Sequence, residues 1–296
     1  MKDKYILVAD ADCEIPLSWV DEYDIVILPM PFTIEGVEYA YDLGKTVKLS
    51  DFYQKMRQGA VATTAQANPE DFKELFVPYL EQGKDILYLG VSSALSGTVN
   101  NAELAAAELL EQYKERQIVA VDTLAISMPM GYLVKIAAEM RLKGAALQEV
   151  ADHINSIRQQ ACAFFTVDNL VYLKRGGRVS GAAAFFGTLL EVKPLLHIST
   201  EGKLVPCGKV KGRKNAIKQL ASLAEQYAKD AKESSIYLLN AECEKDAEAL
   251  KALVMESCNP KEVVSVAIGP VIGAHAGPGT LGIVFLAESR EINPIN

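Results

Sequence analysis

Hydroxyl side chains cluster where a buried strand passes into a helix, in the segment VSSALSGTVNNAELAA at residues 91–106. The apolar residues just before it predict a strand, and alanines and leucines at helical spacing after it predict a helix. A helix start carries unpaired backbone N–H groups and a partial positive charge, so Ser96, Gly97 and Thr98 could bind an anion. The alternative is that the serine is an ordinary N-cap, which needs no ligand.

A second hydroxyl-rich segment, ATTAQANP, places Thr63 and Thr64 just before a helix that Asn68 is expected to cap. In an open α/β sheet, the loops beyond the carboxyl ends of neighbouring strands converge on one crevice. The two clusters of hydroxyl groups could therefore meet on one ligand. Local capping is again the alternative, because Thr and Asn side chains in turns also bond their own backbone.

His275 is one of three histidines, and it lies beside Gly277 and Gly279 in the segment HAGPG, which is predicted to join two strands. Glycine lets the backbone approach a ligand closely, so the sequence leaves a binding role and a structural role for His275 equally open. His153 fits the surface of a helix, and His197 alternates with apolar residues as in the core of a sheet.

Basic residues are a minority, since the formal net charge is −8, and this acidic balance argues against a nucleic-acid surface. They form two dense clusters, each of which is either solvated or marks a local binding surface. The first holds Lys174, Arg175 and Arg178, and the second holds Lys209, Lys211, Arg213 and Lys214.

A chain of 296 residues, of which 50% are hydrophobic, is long enough for two domains with cores of their own. Its five cysteines are widely spaced and include no CxxC pair, so neither a disulfide framework nor a zinc site is indicated. This cysteine usage is typical of the reducing cytoplasm. The sequence shows no signal peptide and no apolar stretch of membrane-spanning length.

Strands alternate with helices through the first half of the chain, which predicts a parallel sheet covered by helices on both faces, in three layers. Near residue 160 the sequence becomes apolar and rich in Ala and Gly, so we predict two domains, at 1–160 and 161–296. The second is also expected to be α/β, with two strands around a Glu-Gly turn and further strands and helices after them.

Three nucleotide and hydrolase motifs can be tested against this pattern. GPGTLG at residues 277–282 matches GxGxxG, but an apolar strand-like run follows it where a dinucleotide loop would open a helix. The chain has neither a GxxxxGK[ST] loop nor a GxSxG elbow. The stretch GAAAFFGTLLEVKPLLHI, residues 181–198, could line a bound hydrocarbon chain or pack as an ordinary helix.

Taken in order, several segments resemble the DegV-like family of bacterial fatty-acid-binding proteins. The matching segments are TTAQANPEDF, SSALSGT, VDT, LKRGGRVS, KVKGRKNAI and HAGPGTLG, which span residues 63–282. Two family patterns are altered: TDS reads Ala9, Asp10, Ala11 here, and TSQP reads Thr64, Ala65, Gln66, Ala67.

The resemblance implies a two-domain α/β protein with a mixed sheet in its second domain and a long-chain fatty acid as its ligand. Residues 1–160 would supply the loops that bind the carboxylate, and residues 161–296 would line the pocket for the acyl chain. The carboxylate contacts would fall to Thr64 and Ser96, with Thr63, Ser93 and Gly97 beside them. His275 and Arg178 would form a supporting polar network.

The resemblance also implies a carrier in the cytoplasm rather than an enzyme. It would present the fatty-acid carboxylate to a separate fatty acid kinase, which makes an acyl phosphate for phospholipid synthesis. No metal and no cofactor other than the fatty acid would be needed. The expected docking surface for the kinase comprises Lys174, Arg175, Lys209, Lys211 and Arg213.

A serine hydrolase acting on acyl esters is the competing hypothesis. Ser96 lies at a strand-to-helix turn and would be the nucleophile, with His275 as its general base. The sequence offers no identifiable acid to orient the histidine and lacks the usual nucleophile elbow.

Overall fold

The computed structural model describes residues 4–179 and 192–291, so residues 181–191 of the apolar stretch singled out above lie outside the described residues. The described strands are β1 (Tyr5–Asp10), β2 (Ile25–Leu28), β3 (Met30–Ile34), β4 (Val37–Tyr41), β5 (Ala62–Thr64), β6 (Asp85–Gly90), β7 (Ile118–Asp122), β8 (Ala161–Thr166), β9 (Val192–Ile198), β10 (Leu204–Lys211), β11 (Ser235–Asn240), β12 (Glu262–Ala267) and β13 (Leu281–Leu286). The described helices are α1 (Leu17–Tyr23), α2 (Leu49–Arg57), α3 (Pro69–Glu81), α4 (Thr98–Gln112), α5 (Met128–Leu142), α6 (Leu147–Ile157), α7 (Leu170–Gly176), α8 (Arg213–Tyr227), α9 (Glu244–Cys258) and α10 (Pro270–Ala276).

The first sheet is parallel throughout, with the strand order β2-β1-β6-β7. All six residues of β1 are buried, as expected for a strand covered on both faces. The chain leaves β1 toward β2 on one side and later returns to β6 on the other. The order of the strands therefore reverses between β1 and β6, and ligands of open α/β sheets bind beyond the carboxyl ends of the strands at such a point.

A small antiparallel sheet, β4-β3-β5, lies beside the first and was not predicted. Within the segment YDIVILPM, Pro29 separates β2 from β3, because it has no N–H to continue a ladder. One expectation from the sequence is corrected by this sheet. Thr63 and Thr64 are not in a loop but in β5, where they pair with Thr33 and Phe32.

The third sheet is mixed and follows the order β10-β9-β8-β13-β11-β12. Only β11 and β12 pair in parallel among these strands. The predicted α/β class with a parallel and a mixed sheet is confirmed. The strands of the first two sheets all precede residue 123 and those of the third all follow residue 160, while the domain boundary itself stays a prediction.

The capped helix at Asn68 is confirmed in its local chemistry. The Asn68 side chain accepts hydrogen bonds from the backbone N–H groups of Glu70 (2.9 Å) and Asp71 (3.2 Å). In return, the Asp71 carboxylate accepts from the Asn68 N–H at 2.7 Å, which completes a capping box. This cap fixes where α3 begins, directly after β5.

His275 lies in helix α10, so the prediction that it joins two strands is wrong. Gly269 is the N-cap, Pro270 occupies the first turn, and Gly277 ends the helix at a φ of 83°. Proline in the first turn is favourable because no N–H is needed there. The apolar run from Val266 to Ala274 does not reveal this helix, since a short buried helix and a buried strand share such a pattern.

The core is continuous between the first and third sheets. One cluster of buried residues includes Ile6 from β1, Met30 from β3, and Tyr237 and Leu239 from β11. The Tyr237 ring meets Trp19 edge-on, with 5.9 Å between ring centroids. Among the described helices, none is both long and apolar enough to cross a membrane.

Candidate functional site

A cavity of about 340 Å³ lies where strands of the second and third sheets, and the segments that follow strands of the first sheet, meet α10. This volume falls in the usual range for small-molecule sites. Most of its wall is apolar. The apolar lining comprises Met30, Val91, Leu95, Ile126, Ala163, Phe165, Leu173, Val179, Ile198, Leu204, Leu239, Ile268, Val271, Ile272 and Ala276, with Ala65 and Ala94 beside them. Such a wall suits a hydrocarbon ligand, because burial of apolar surface stabilises the bound state.

The start of α4 forms one polar part of the wall. Gly97 is the N-cap, and the Ser96 hydroxyl lies 2.8 Å from that of Thr98. The N–H of Gly97 donates to the Gln66 side-chain oxygen at 3.1 Å. A Cβ at residue 97 would overlap the present position of the flexible Gln66 amide, so glycine allows this side chain to approach the helix start closely. An amide oxygen already occupies a position at the helix start where an anion would bind.

Thr64 and His275 form a second polar pair in the wall. The Thr64 hydroxyl oxygen lies 2.8 Å from Nε2 of His275, and both residues line the cavity. β5 and α10 bring them together from positions 211 residues apart in the chain. His275 also packs directly against Gly176 of α7, where any larger side chain would collide with the ring.

The imidazole of His275 is neutral at physiological pH. Burial, which disfavours the charged form, is the main cause that lowers its pKa to about 4, and the nearby Arg178 guanidinium acts in the same direction. Arg178 itself is exposed, lines the cavity and donates from its guanidinium to the Gly176 carbonyl at 2.9 Å. It places a fixed positive charge beside the uncharged histidine.

The structure brings most of the sequence-predicted binding residues together. Those that line the cavity are Thr64, Ser93, Ser96, Gly97, Arg178 and His275. Thr63 does not line it: its side chain is exposed, because neighbouring residues of a strand point to opposite faces.

The competing hydrolase arrangement is absent from the hydrogen bonding of the described residues. The Ser96 hydroxyl pairs with Thr98, and Nε2 of His275 pairs with Thr64. A nucleophile and its base must lie within hydrogen-bond reach of each other. This geometry does not favour a Ser96 nucleophile activated by His275.

The predicted docking residues occupy two different places. Lys174 and Arg175 are exposed in the last turn of α7, close to the cavity residue Leu173. Lys209 and Lys211 are exposed on β10, an edge strand, and do not line the cavity.

Arg213 is less exposed than these cations. It is half-buried, forms an ion pair with Asp246 at 2.8 Å and donates to the Gly279 carbonyl at 2.7 Å. These contacts tie the start of α8 to α9 and to the turn before β13, which gives Arg213 a structural role.

Three buried carboxyl groups, which the sequence analysis did not assign to the site, lie at the end of β1 and directly after it, at the carboxyl edge of the parallel sheet. Asp10 accepts from the Tyr88 hydroxyl at 2.8 Å and from the Val91 N–H at 2.9 Å. Glu14 accepts from the Ser127 hydroxyl and from the Gly269 N–H.

The third carboxyl group, Asp12, lines the cavity. The signal in the sequence was the run ADADCE directly after a buried strand, where polar residues have no packing role. The apolar lining carried no comparable signal, because its residues resemble any other core position.

Burial is the main cause that raises the pKa of each of these carboxyl groups. The pKa of Glu14 rises to about 8, although its hydrogen bonds with Ser127 and Gly269 act in the opposite direction. The pKa of Asp10 rises to about 6. That of Asp12 rises well above its usual range, and the charges of Asp10 and Glu14 add to the effect of burial.

Comparison with known proteins gives one family along almost the whole chain. A family model described as an uncharacterised protein of the DegV family matches residues 4–288. A DegV domain-containing protein of Clostridium perfringens is 38% identical over 288 residues, which cover 97% of this chain and 99% of that protein.

Two further relatives carry descriptions of a ligand. A protein of Thermotoga maritima named as a fatty acid-binding protein is 32% identical over 292 residues, covering 97% of this chain and 99% of its own. A solved structure described as fatty acid binding of a DegV family protein from Thermus thermophilus aligns with a TM-score of 0.86 at 33% identity, covering 96% of this chain and 99% of that one.

Proposed function

The chain belongs to the DegV family, and from this premise and the geometry of the cavity we propose that it binds a long-chain fatty acid. The observation that carries the proposal is a mostly apolar cavity whose wall includes a helix start, the hydroxyl-bearing residues Thr64 and Ser96, and an arginine. A fatty acid has the same division, since an anionic head is joined to a long apolar tail. Relatives described as fatty-acid-binding support the proposal.

The carboxylate binds at the start of α4 and at Thr64. Ser96 donates its hydroxyl proton, and the Gly97 N–H donates after the carboxylate displaces the Gln66 oxygen from it. Hydrogen bonds to an ionised acceptor are stronger than neutral ones, and the helix dipole favours a negative charge at this end. Nε2 of His275 donates to the Thr64 oxygen, which leaves the hydroxyl proton of Thr64 free for the ligand.

The acyl chain supplies most of the affinity. Burial of one methylene group stabilises a complex by about 0.8 kcal/mol, so a tail of about fourteen methylenes contributes on the order of 10 kcal/mol before the cost of association. The head group therefore orients the ligand more than it retains it.

We further infer that the protein is a carrier that presents the carboxylate to a separate fatty acid kinase for phospholipid synthesis. The site has hydroxyl and amide groups to hold a carboxylate, whereas the sequence has no GxxxxGK[ST] loop for a nucleotide. Arg178 is exposed and lines the cavity, and Arg175 is exposed in α7, whose Leu173 also lines it, so a partner could contact both residues.

Lipid extraction from the purified protein tests the binding proposal. Denaturing the protein and analysing the extract by mass spectrometry should release one equivalent of fatty acid, and stripped protein should take up added palmitate or oleate. Protein that carries no lipid and takes up neither acid would contradict the proposal.

Addition of a fatty acid kinase and ATP to the loaded protein tests the carrier role separately. Formation of an acyl phosphate only when the carrier is present supports it. Tight binding of fatty acid with no phosphorylation would contradict the carrier role and leave the binding proposal standing.

A further inference from the structure

The direction of the hydrogen bond between Ser96 and Thr98 follows from burial. Their hydroxyl oxygens lie 2.8 Å apart, so one of the two groups donates to the other. Thr98 is 0% exposed, and within residues 4–179 and 192–291 its hydroxyl has Ser96 as its only partner. Buried donors in native proteins are nearly always paired, so the Thr98 hydroxyl donates and the Ser96 oxygen accepts.

The backbone of Thr98 occupies a second acceptor position on the same oxygen. Its N–H, at the first residue of α4, donates to the Ser96 hydroxyl oxygen at 3.4 Å. A hydroxyl group has two lone pairs and one proton, so Ser96 has only its proton left to offer a ligand. Ser96 lines the cavity and Thr98 does not.

We propose that Thr98 is a positioning residue that makes Ser96 a donor to the head group and thereby selects a head group that only accepts. The inference rests on the proposed function and deepens it, since it names the residue that makes the site prefer a carboxylate. A carboxylate accepts through both oxygens and has no proton to place, whereas the hydroxyl of a fatty alcohol must also find an acceptor.

The opposite direction of this bond fits the structure less well. If Ser96 donated to Thr98, the Thr98 proton would be buried without an acceptor, which is costly. The Ser96 proton would also be turned away from the ligand.

Thr98 stands behind Ser96 as His275 stands behind Thr64. In each pair, one residue contacts the hydroxyl of another that lines the cavity. The two partners differ in chemistry, because an imidazole titrates and a threonine hydroxyl does not. The contribution of Thr98 is therefore expected to be independent of pH.

Substitution of Thr98 tests the role on the full-length protein, with hexadecanoic acid and hexadecan-1-ol as probes. Thr98→Val keeps the shape of the side chain without its hydroxyl and should weaken binding of the acid severalfold. The ratio of acid affinity to alcohol affinity should fall as well, because the freed Ser96 oxygen can accept from the alcohol. Thr98→Ser restores a hydroxyl and should lose less acid affinity than Thr98→Val.

A double-mutant cycle and a matched control separate positioning from a general effect on the fold. In the Ser96→Ala background, Thr98→Val should cost no further affinity, because Thr98 acts through the Ser96 hydroxyl. Thr166 is another fully buried threonine outside the cavity lining, and its hydroxyl has no hydrogen-bond partner in the described part of the chain. Thr166→Val should therefore bind the acid as the native protein does.

The outcomes separate the role of Thr98 from the proposed function. If Thr98→Val binds hexadecanoic acid as tightly as the native protein, or loses acid and alcohol affinity in equal measure, the positioning role is refuted and fatty-acid binding stands. Equal costs of Thr98→Val with and without the Ser96 hydroxyl, or equal losses in Thr98→Val and Thr166→Val, also refute it. If the native protein binds no fatty acid, the proposed function fails and the role of Thr98 fails with it.

Discussion

Two polar regions differ in what they offer a ligand: the first lies in the cavity wall, and the second meets that wall at Asp12. The donor region, comprising Thr64, Ser96, Gly97, Arg178 and His275, offers hydroxyl groups, a helix start and a positive charge. The acid region, comprising Asp10, Asp12 and Glu14, offers carboxyl groups in a fully buried segment.

This difference allows one cavity to orient an amphipathic molecule. In the donor region, the N–H groups and the guanidinium stabilise a negative charge. In the acid region, burial raises the pKa of each carboxyl group and favours neutral forms. In the proposed complex, the anionic head group therefore binds at the first region, whereas burial at the second disfavours a charged group.

The two regions should also respond to pH in opposite directions. The pKa of Glu14 is raised from 4.5 to about 8, so the folded protein holds a proton that the unfolded chain releases between these values. Stability is therefore lost as pH rises from about 4.5 through 8. Since one pH unit of difference in pKa corresponds to about 1.4 kcal/mol, the loss is on the order of 5 kcal/mol.

The variant Glu14→Gln tests this largest effect. It should lose much less unfolding free energy than the native protein between pH 5 and pH 9, as measured by urea denaturation. Glu149, an exposed residue of α6, gives the matched control Glu149→Gln, which should leave the slope unchanged. If unfolding free energy falls equally steeply with pH in the native protein and in Glu14→Gln, Glu14 does not cause the loss of stability.

The donor region carries the opposite dependence through His275. Its pKa in the folded protein is lowered from 6.5 to about 4, so the unfolded chain binds the extra proton between these values. Stability should fall by roughly 3 kcal/mol as pH drops from 6.5 to 4. His275→Gln should abolish that part of the loss in denaturation experiments.

His197 serves as a control that separates the effect of a bound ligand on a histidine pKa from the effect of burial. Its pKa is also lowered to about 4, chiefly by burial, but it lies in β9 with its ring stacked on Phe164 and does not line the cavity. A bound carboxylate should raise the pKa of His275, because a nearby negative charge favours the imidazolium. In an NMR titration, the pKa of His197 should not change when the fatty acid binds. Equal pKa shifts of His197 and His275 would show that the head group binds elsewhere.

Removal of one hydroxyl group from the donor region should weaken fatty-acid binding by a smaller free energy than these pH effects. Thr64→Ala and Ser96→Ala each remove one hydrogen bond to an ionised group, worth about 1.5–3 kcal/mol, or roughly 10- to 100-fold in Kd. Displacement of a fluorescent fatty acid would measure it. Thr63→Ala is the matched control, since its exposed side chain lies outside the cavity lining, and unchanged affinity in both test variants would contradict the head-group assignment.

The fold and the donor region were more predictable than the acid region. Asn68 indicates a helix start by its residue type, and short apolar runs indicate the strands, so local rules suffice for them. The pairing of Thr64 with His275 required the tertiary structure, because β5 was taken for a loop and α10 for a strand end. Asp12 was missed because its significance depends on burial, which no local pattern records.

The smallest expected effect concerns the surface around the donor region. Arg175 is exposed in α7, whose Leu173 lines the cavity. Lys209 lies five residues beyond the cavity residue Leu204 on β10, roughly 16 Å along an extended strand. If the protein presents its ligand to an acidic face of a kinase, only a charge near the cavity should steer the encounter.

Arg175→Glu should therefore slow acyl-phosphate formation severalfold at low salt, and Lys209→Glu should not. Complementary charges at the rim of an interface act mainly on the association rate, so the difference should shrink as salt screens them. Fatty-acid affinity should be unchanged in both variants, because neither residue lines the cavity. Arg213 is unsuitable for this test, since its reversal would break the ion pair with Asp246 and destabilise the start of α8. Equal rates of acyl-phosphate formation for the two variants across a salt series would show that the charge beside the cavity does not affect association with the kinase.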